Sequence, residues 1–217
     1  MTDYQIVKKQ IEHLYIIQEH VPIINAVNCW NVKGRQIGER TNKLTLENYH
    51  EVYKKMLEEQ EFHLLINDES VISLFYLFDE NGKVSQHSLS YIPSLDIEIY
   101  ASDTLSLENH ISISRTANNY IRIDYDKTGK KDVVHTDVHM HFGIFHKQNH
   151  MSFSELRIPL EGILFPYEFI YIILKYLYDV EDEFLTALFE DKYIKFSCLE
   201  KKEQDKLILS FGERNLA

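Results

Sequence analysis

Apolar and polar residues alternate along the stretch from Tyr120 to His150, which holds five of the chain's eleven histidines. Successive side chains of a β-strand point to opposite faces, so this alternation predicts strands with one apolar and one polar face. Between residues 134 and 144 the even positions carry Val134, Val138, Met140, Phe142 and Ile144, with Thr136 as a polar exception. The odd positions carry His135, Asp137, His139 and His141.

The preceding segment alternates in the same way with the opposite parity. Its apolar row is Ile121, Ile123 and Tyr125, and its polar row is Arg122, Asp124 and Asp126. A turn at residues 126–130 would join the two strands into a hairpin. If both strands bury their apolar rows, residue numbers of same-face partners must sum to an odd value. Asp124 with His135 and Arg122 with Asp137 are examples, and the shared face should gather Arg122, Asp124, His135, Asp137, His139 and His141.

Helical periodicity precedes the strand region. Thr2 and Gln5 match a capping box, and the helix that follows them should end before Pro22. Thr45 is a candidate cap for a second helix, which should end near Gln60. The sequence between these two helices is less informative about secondary structure. Its first part fits either a short helix or a strand, and its second part is expected to be a polar loop.

Strand-like and helical segments follow in that order along the rest of the chain. Pro159 cannot donate a ladder hydrogen bond and therefore indicates an edge strand, and Pro166 suits the first turn of a helix. Further strands are predicted at 62–66, 71–78, 84–92 and 111–115, with an Asn81-Gly82 turn, and a last helix is predicted at 184–189.

This order predicts one α+β domain over residues 1–217 with a mostly antiparallel sheet. The expected divisions are a helical N-terminal part at 1–60, the sheet at 61–160 and a helical C-terminal part at 161–217. The C-terminal helices should pack on the apolar face of the sheet.

Composition narrows the function classes. The net charge of −11 argues against a general nucleic-acid binder, which needs clustered Lys and Arg. We therefore consider nucleic acid only as a substrate of this protein. Two distant cysteines, Cys29 and Cys198, do not make a disulfide framework. The sequence shows no signal peptide, and its longest apolar run is far short of a membrane span. We therefore expect a cytoplasmic protein without membrane contact.

Three interpretations of the polar face remain open. His139 and His141, with His135 and Asp124 or Asp137, have the donor types that bind a divalent metal such as Zn, Mn or Fe. The same histidines would serve as acid and base on a phosphodiester without a metal, with Arg122 stabilising the phosphate. The third interpretation is a polar face without chemistry, exposed to water or covered by a partner, with ion pairs between Arg122 and aspartate.

Four pieces of the sequence resemble, in order, an uncharacterised bacterial family known only as a domain of unknown function. Residues 120–126 and 138–143 match its R-x-D-Y … H-x-H-x-G core. Residues 156–159 and 166–169 resemble its R-I-P … P-x-x-F end, so the resemblance covers about 120–178. The family often has His-Pro before the H-x-H, whereas this chain has His135-Thr136, which departs from that pattern.

A looser similarity links R-x-D … H-x-H to histidine-bearing, nuclease-like toxins of bacterial toxin–antitoxin pairs. The resemblances imply site roles for Arg122, Asp124, His139 and His141, whereas His135 is a candidate through strand parity. They imply an RNase-like or phosphodiesterase-type component of a bacterial conflict system, such as a toxin or an anti-phage defence protein. The rival hypothesis is a non-catalytic subunit that binds a protein partner, which the acidic charge favours.

Overall fold

The computed structural model describes residues 1–29, 31–41, 44–45, 48–94, 119–126, 137–143, 157–160, 162–181 and 185, and the structural features below lie in these ranges. Some predicted elements fall outside them. These are the strand at 111–115, the turn after Asp126, and all of the helix at 184–189 except Leu185.

Three helices and nine strands form the described fold. The helices are α1 (Asp3–His20), α2 (Tyr49–Glu58) and α3 (Pro166–Tyr178). The strands are β1 (Ile24–Val27), β2 (Val32–Lys33), β3 (Gln36–Ile37), β4 (Leu64–Ile66), β5 (Val71–Phe78), β6 (Val84–Ile92), β7 (Ile121–Asp126), β8 (Val138–Phe142) and β9 (Ile158–Pro159).

All strand pairs in the described residues are antiparallel, and they join in one sheet. The order across the sheet is β1, β4, β5, β6, β7, β8 and β9. The short hairpin of β2 and β3 attaches to β5 through β3. The chain is therefore a single α+β domain with a mostly antiparallel sheet. Helices precede and follow the main sheet strands along the chain, as the sequence pattern predicts.

Helices α1 and α3 cover one face of the sheet and bury its main core. The capping box of α1 is present, since Gln5 N–H donates to Thr2 Oγ1 at 3.3 Å and Thr2 N–H donates to Gln5 Oε1 at 2.9 Å. Helix α3 begins at Pro166, where the missing N–H costs nothing. Alternate residues of the central strands complete this core, among them Ile72, Leu74, Leu89, Tyr91, Ile121, Ile123 and Val138.

Helix α2 packs on part of the opposite face. Its buried residues Tyr49, Tyr53 and Met56 contact a smaller core that includes Val71 and Ile92 of the sheet. The sheet is thus covered on both sides, and the polar face that carries the predicted site lies on the side of α2.

His87 lies on the α1 and α3 side of the sheet, in the middle of β6. Its ring centroid lies 5.7 Å from those of Tyr76 and Tyr125, its cross-strand partners, and the side chain is buried. Burial lowers the pKa of His87 to about 4, because the charged form loses hydration.

Another buried histidine, His63, accepts a hydrogen bond from the backbone at one edge of β5. Strands β3 and β4 pair with the two ends of this edge. Between them, Leu74 N–H donates to His63 Nδ1 at 3.1 Å. Burial lowers the pKa of His63 to about 3. Gly38 approaches the same point so closely, with φ +69°, that a Cβ would lie 1.9 Å from Leu74 O.

Helix α2 begins at Tyr49. Before it, Thr45 N–H donates to Asn48 Oδ1 at 2.7 Å and Asn48 N–H donates to Thr45 Oγ1 at 3.3 Å, which is the reciprocal pattern of a capping box. Residues 1–60 are not purely helical, since they contain β1, β2 and β3. Strand β1 lies in the segment that fits either a helix or a strand, and β3 lies in the segment expected to be a polar loop.

The hairpin of β7 and β8 has the predicted parity but a different register. Asp124 pairs with His139 and Arg122 with His141, so the partner numbers sum to an odd value as expected. The example pairs with His135 and Asp137 are wrong by four residues. The ladder ends where Asp126 N–H donates to Asp137 O, so the connection is longer than a tight turn.

The edge strand and the hydropathy of the helices agree with the sequence pattern. Among the strands that the structure describes, β9 is the last in the sheet order, and it contains Pro159, which pairs with His139. Within the described ranges, none of the helices combines the length and the hydropathy that crossing a bilayer requires.

Candidate functional site

Two cross-strand rows of side chains, which are polar except for Phe75, form the candidate site on the α2 side of the sheet. Side chains directly opposite each other in a ladder share a face, so each row is a set of neighbours. Both rows run across β5, β6, β7 and β8. The first is Ser73, Ser90, Arg122 and His141, and the second is Phe75, Ser88, Asp124 and His139.

The carboxylate of Asp124 is the centre of these rows. Ser88 Oγ donates to Asp124 Oδ1 at 2.7 Å. Arg122 Nε lies 2.9 Å from Oδ2, and His141 Nε2 lies 3.7 Å from the same oxygen. One carboxylate oxygen is therefore shared between a guanidinium and an imidazole.

Asp124 is ionised at neutral pH although it is buried. Burial alone would raise its pKa, and it is the largest single influence. The charge of Arg122, the Ser88 hydrogen bond, His141 and the charge of Arg40 together outweigh it, so the pKa of Asp124 lies below its usual value.

The two histidines lie side by side beyond Asp124. The ring centroids of His139 and His141 are 4.7 Å apart, with the ring planes at 75°. The exposed fractions are 2% for His139, 7% for His141 and 5% for Asp124. These three side chains are therefore not part of a polar face that is simply exposed to water. Polar groups are seldom buried unless they interact with other polar groups.

We call Asp124, His139 and His141 the Asp–His cluster. One ligand-type atom from each residue lies within 4.8 Å of the others, and it is the only such group of three or more found among the described residues. The ligand atoms of a tetrahedral zinc ion lie about 3.3 Å apart, so small side-chain rotations would bring the three atoms to ligating distance.

The structure therefore brings together four of the predicted site residues: Arg122, Asp124, His139 and His141. It does not bring Asp137 into the Asp–His cluster, and the carboxylate near both histidines is that of Asp124. His135 lies outside the described residues, and its site role stays a prediction.

Sequence reasoning missed the polar residues that other elements add to this face. Ser88 and Ser90 occupy the polar parity of β6, so the Ser88-Leu89-Ser90-Tyr91 alternation was a usable signal. Arg40 follows β3 and had no local signal. Tyr120 is buried with its OH 3.4 Å from Ser90 Oγ, and burial raises its pKa although the charge of Arg122 opposes the rise.

Arg122 is held in a mainly buried position next to this network. Burial alone would lower its pKa, but Tyr120 and Asp124 raise it above its usual value. The guanidinium thus stays charged, as arginine does in proteins generally. Its Nε faces Asp124, and it offers a fixed positive charge beside the two imidazoles.

Comparison with known proteins gives one match. The model of a family described as an uncharacterised conserved protein family, DUF2290, matches residues 16–211. No match was found among curated proteins or among solved structures. The matched range contains both rows of the candidate site and the nine strands of the described residues. The chain therefore belongs to the uncharacterised conserved protein family DUF2290.

Proposed function

We propose that the Asp–His cluster and Arg122 form a phosphodiesterase-type site that cleaves a phosphodiester without a metal. The observation that supports this best is the position of Asp124 Oδ2, which lies 2.9 Å from Arg122 Nε and 3.7 Å from His141 Nε2. The imidazole and the guanidinium thus both lie within 4 Å of one carboxylate oxygen, which places an acid–base group and a cation side by side.

The histidines are suited to proton transfer. An imidazole has an ordinary pKa near neutral pH, so a pair of them can provide one general base and one general acid. With ring centroids 4.7 Å apart, His139 and His141 can both reach the oxygens of one phosphate. Asp124 stabilises the protonated form of His141, as a carboxylate does for a catalytic histidine in other hydrolases.

The cations supply the electrostatic part of catalysis. A phosphodiester gains negative charge in its transition state, and preorganised positive groups in a partly buried site stabilise that charge. Arg122 stands within the polar row, and Arg40 is close enough for its charge to lower the pKa of Asp124. Arg122 would stabilise the developing charge, and RNA or another nucleic acid enters as substrate only.

The wider role that we propose is an RNase-like component of a bacterial conflict system, either a toxin or part of anti-phage defence. The support for this role is the resemblance of R-x-D … H-x-H to nuclease-like toxins, which is an argument by analogy. The same role includes a protein partner, for which the net charge of −11 offers a complementary surface to a basic protein.

A second candidate is a divalent metal site with Asp124, His139 and His141 as ligands. The convergence of three ligand atoms within 4.8 Å favours it. A bound Zn or Mn ion would supply an activated water. Arg122 weighs against this candidate, because its charge lies beside the one carboxylate that would neutralise the ion.

The experiment compares the wild-type chain with the double variant His139→Ala, His141→Ala. The substrates are bis(p-nitrophenyl) phosphate and a single-stranded RNA oligonucleotide, assayed with and without a chelator. We expect a loss of at least 100-fold in rate for the double variant, which is the usual share of acid–base catalysis. His20→Ala, at an exposed histidine of α1, is the matched control and should keep full activity.

Each result separates the candidates. Wild-type activity that survives chelation, with no stoichiometric metal in the purified protein, supports the metal-free mechanism. Stoichiometric metal that is lost in the double variant supports the metal site instead. Cleavage retained in the double variant would overturn the catalytic proposal. The same holds if a stoichiometric protein partner is captured and function is insensitive to Arg122→Ala and His139→Ala, which would establish the non-catalytic subunit.

A further inference from the structure

A cavity of about 110 Å³ lies on the same side of the sheet as the Asp–His cluster. Helix α2 contributes Val52 and Met56 to its wall, the segment after β3 contributes Glu39 and Arg40, and β5 contributes Ser73. The cavity thus has an apolar wall on one side and charged or hydroxyl groups on the other.

The cavity and the Asp–His cluster are connected through one polar row. Ser73 pairs with Ser90, Ser90 pairs with Arg122, and Arg122 pairs with His141. Adjacent strands lie about 4.8 Å apart, so the backbone of Ser73 is about 10 Å from that of Arg122. That distance is comparable with the span from a nucleobase to the phosphate of its nucleotide.

Arg40 belongs to both regions. Its side chain lines the cavity, and its charge is one of the influences that lower the pKa of Asp124. A ligand that extends from the cavity to the cluster must therefore pass a cation. An anionic group at this point, such as a phosphate, would be stabilised by Arg40 and Arg122 together.

The size and the lining of the cavity limit what it holds. Drug-sized ligands need about 300 Å³ or more, so this cavity takes one ring system and not a whole ligand. Val52 and Met56 offer apolar and polarisable contacts to a flat ring. Glu39 and Glu61 are acceptors at the rim, with Lys55 Nζ 3.4 Å from Glu61 Oε2.

We propose that this cavity binds the nucleobase of a nucleotide substrate, with Arg40 beside the phosphate between the cavity and the Asp–His cluster. The proposal rests on the phosphodiesterase-type function above and names the substrate class of the same site. Carboxylates at neutral pH only accept hydrogen bonds, so Glu39 and Glu61 favour adenine, whose amino group has two N–H donors, over uracil, which has one ring N–H.

The test is a binding titration of the full chain with adenosine 5′-monophosphate, uridine 5′-monophosphate and inorganic phosphate. We expect adenosine 5′-monophosphate to bind at least tenfold tighter than either of the other two. Val52→Trp fills the cavity and should lower the ratio of adenosine-monophosphate affinity to phosphate affinity at least tenfold. Arg40→Ala should weaken all three probes, whereas Arg35→Ala, at an exposed arginine in the β2–β3 turn, is the matched control.

Glu39→Gln provides a test that does not depend on the tolerance of the core to tryptophan. Glu39 is exposed, and an amide both donates and accepts, so this variant should reduce the preference for adenosine over uridine monophosphate several-fold. An unchanged preference in Glu39→Gln, unchanged ratios in folded Val52→Trp, or no tighter binding of the nucleotide than of phosphate would overturn the proposal. Failure of the proposed function shows separately, because bis(p-nitrophenyl) phosphate has no nucleoside and its cleavage does not need the cavity.

Discussion

Replacing Arg122 with methionine should destabilise the fold by an amount that depends on pH. The Arg122→Met substitution keeps an unbranched aliphatic side chain and removes the charge. Asp124 then stays buried, at 5% exposure, and its Oδ2 loses the guanidinium at 2.9 Å, while the His141 imidazole remains 3.7 Å away. The Ser88 hydrogen bond remains, but it does not replace the lost positive charge.

The size of the effect follows from the burial of the pair. Removing one partner of a buried ion pair costs about 3–5 kcal/mol, because the other charge is left uncompensated. The side chain of Arg122 is 20% exposed, which places this pair at the low end, at about 3 kcal/mol. In a domain of this size 1 kcal/mol corresponds to about 2–4 °C, so the melting temperature should fall by about 6–12 °C.

The pH dependence separates an electrostatic cause from lost packing. The pKa of Asp124 lies below its usual value in the folded protein, so the pairing stabilises the fold above about pH 4 and is lost as the pH falls through the folded pKa. In Arg122→Met, burial becomes dominant and raises this pKa. The penalty for the ionised form is then largest at neutral pH and disappears once the carboxyl group is protonated.

Urea unfolding of both proteins at pH 7 and near pH 3.5 measures this difference. The expected loss is about 3 kcal/mol at pH 7 and clearly less at the lower pH. Arg35→Met, at an exposed arginine, is the control and should change stability by less than about 0.5 kcal/mol. An equal loss at both pH values, or a loss below 1 kcal/mol at pH 7, would refute the reasoning about the ion pair.

Three further predictions concern the scaffold. Gly38→Ala should cost several kcal/mol or prevent folding, because its Cβ would lie 1.9 Å from Leu74 O. The Cβ of Gly34→Ala meets no atom within 4 Å, so this variant should cost only about 1 kcal/mol for its positive φ. Urea unfolding of the two variants tests the contrast. Tyr178→Phe should lose about 1–2 kcal/mol in thermal unfolding, because its OH lies 2.8 Å from Asp68 Oδ2 and 2.9 Å from Tyr91 OH; a stability equal to wild type would contradict this. Because the pKa of His87 is lowered to about 4, its neutral form stabilises the fold fully above about pH 6.5, and this contribution is lost at up to about 1.4 kcal/mol per pH unit as the pH falls toward 4. His87→Phe should therefore reduce the slope of unfolding free energy against pH in that interval, and an unchanged slope would show that His87 is not the group responsible.

The parity of side chains along β7 and β8 was predictable because it is a local property. Alternation alone assigned Arg122, Asp124, His139 and His141 to one face, and the structure has them there. The register needed a further quantity, the length of the connection. The example pairs chosen by parity differ by four residues from those observed, a shift that preserves parity and so leaves the face assignment intact.

The membership of the Asp–His cluster was only partly predictable for the same reason. Strand parity assigns Asp137 and Asp124 to the same face, so it could not decide which carboxylate lies near the histidines. Register decides it, by pairing Asp124 directly with His139. Arg40 is a contribution from a distant segment, which reaches the site only because β3 pairs with β5.

Long, strongly patterned elements were predicted best, whereas short strands were missed. Strands β5 and β6 occupy the predicted ranges 71–78 and 84–92, since each is long enough to show its pattern. Strands β2 and β3 have two residues each; β2 pairs with β3, and β3 pairs in turn with β5. Such pairing is a tertiary effect that overrides local propensity.

The proline in β9 has a consequence for how this protein associates with others. Leu160 N–H donates to Val138 O, so residues 158 and 160 direct their backbone groups toward β8, and Pro159 directs its own groups outward. Proline has no N–H, so an incoming strand would find no donor at this position. We therefore expect β-augmentation at β9 to be disfavoured, and any assembly that involves this edge to depend on contacts between side chains.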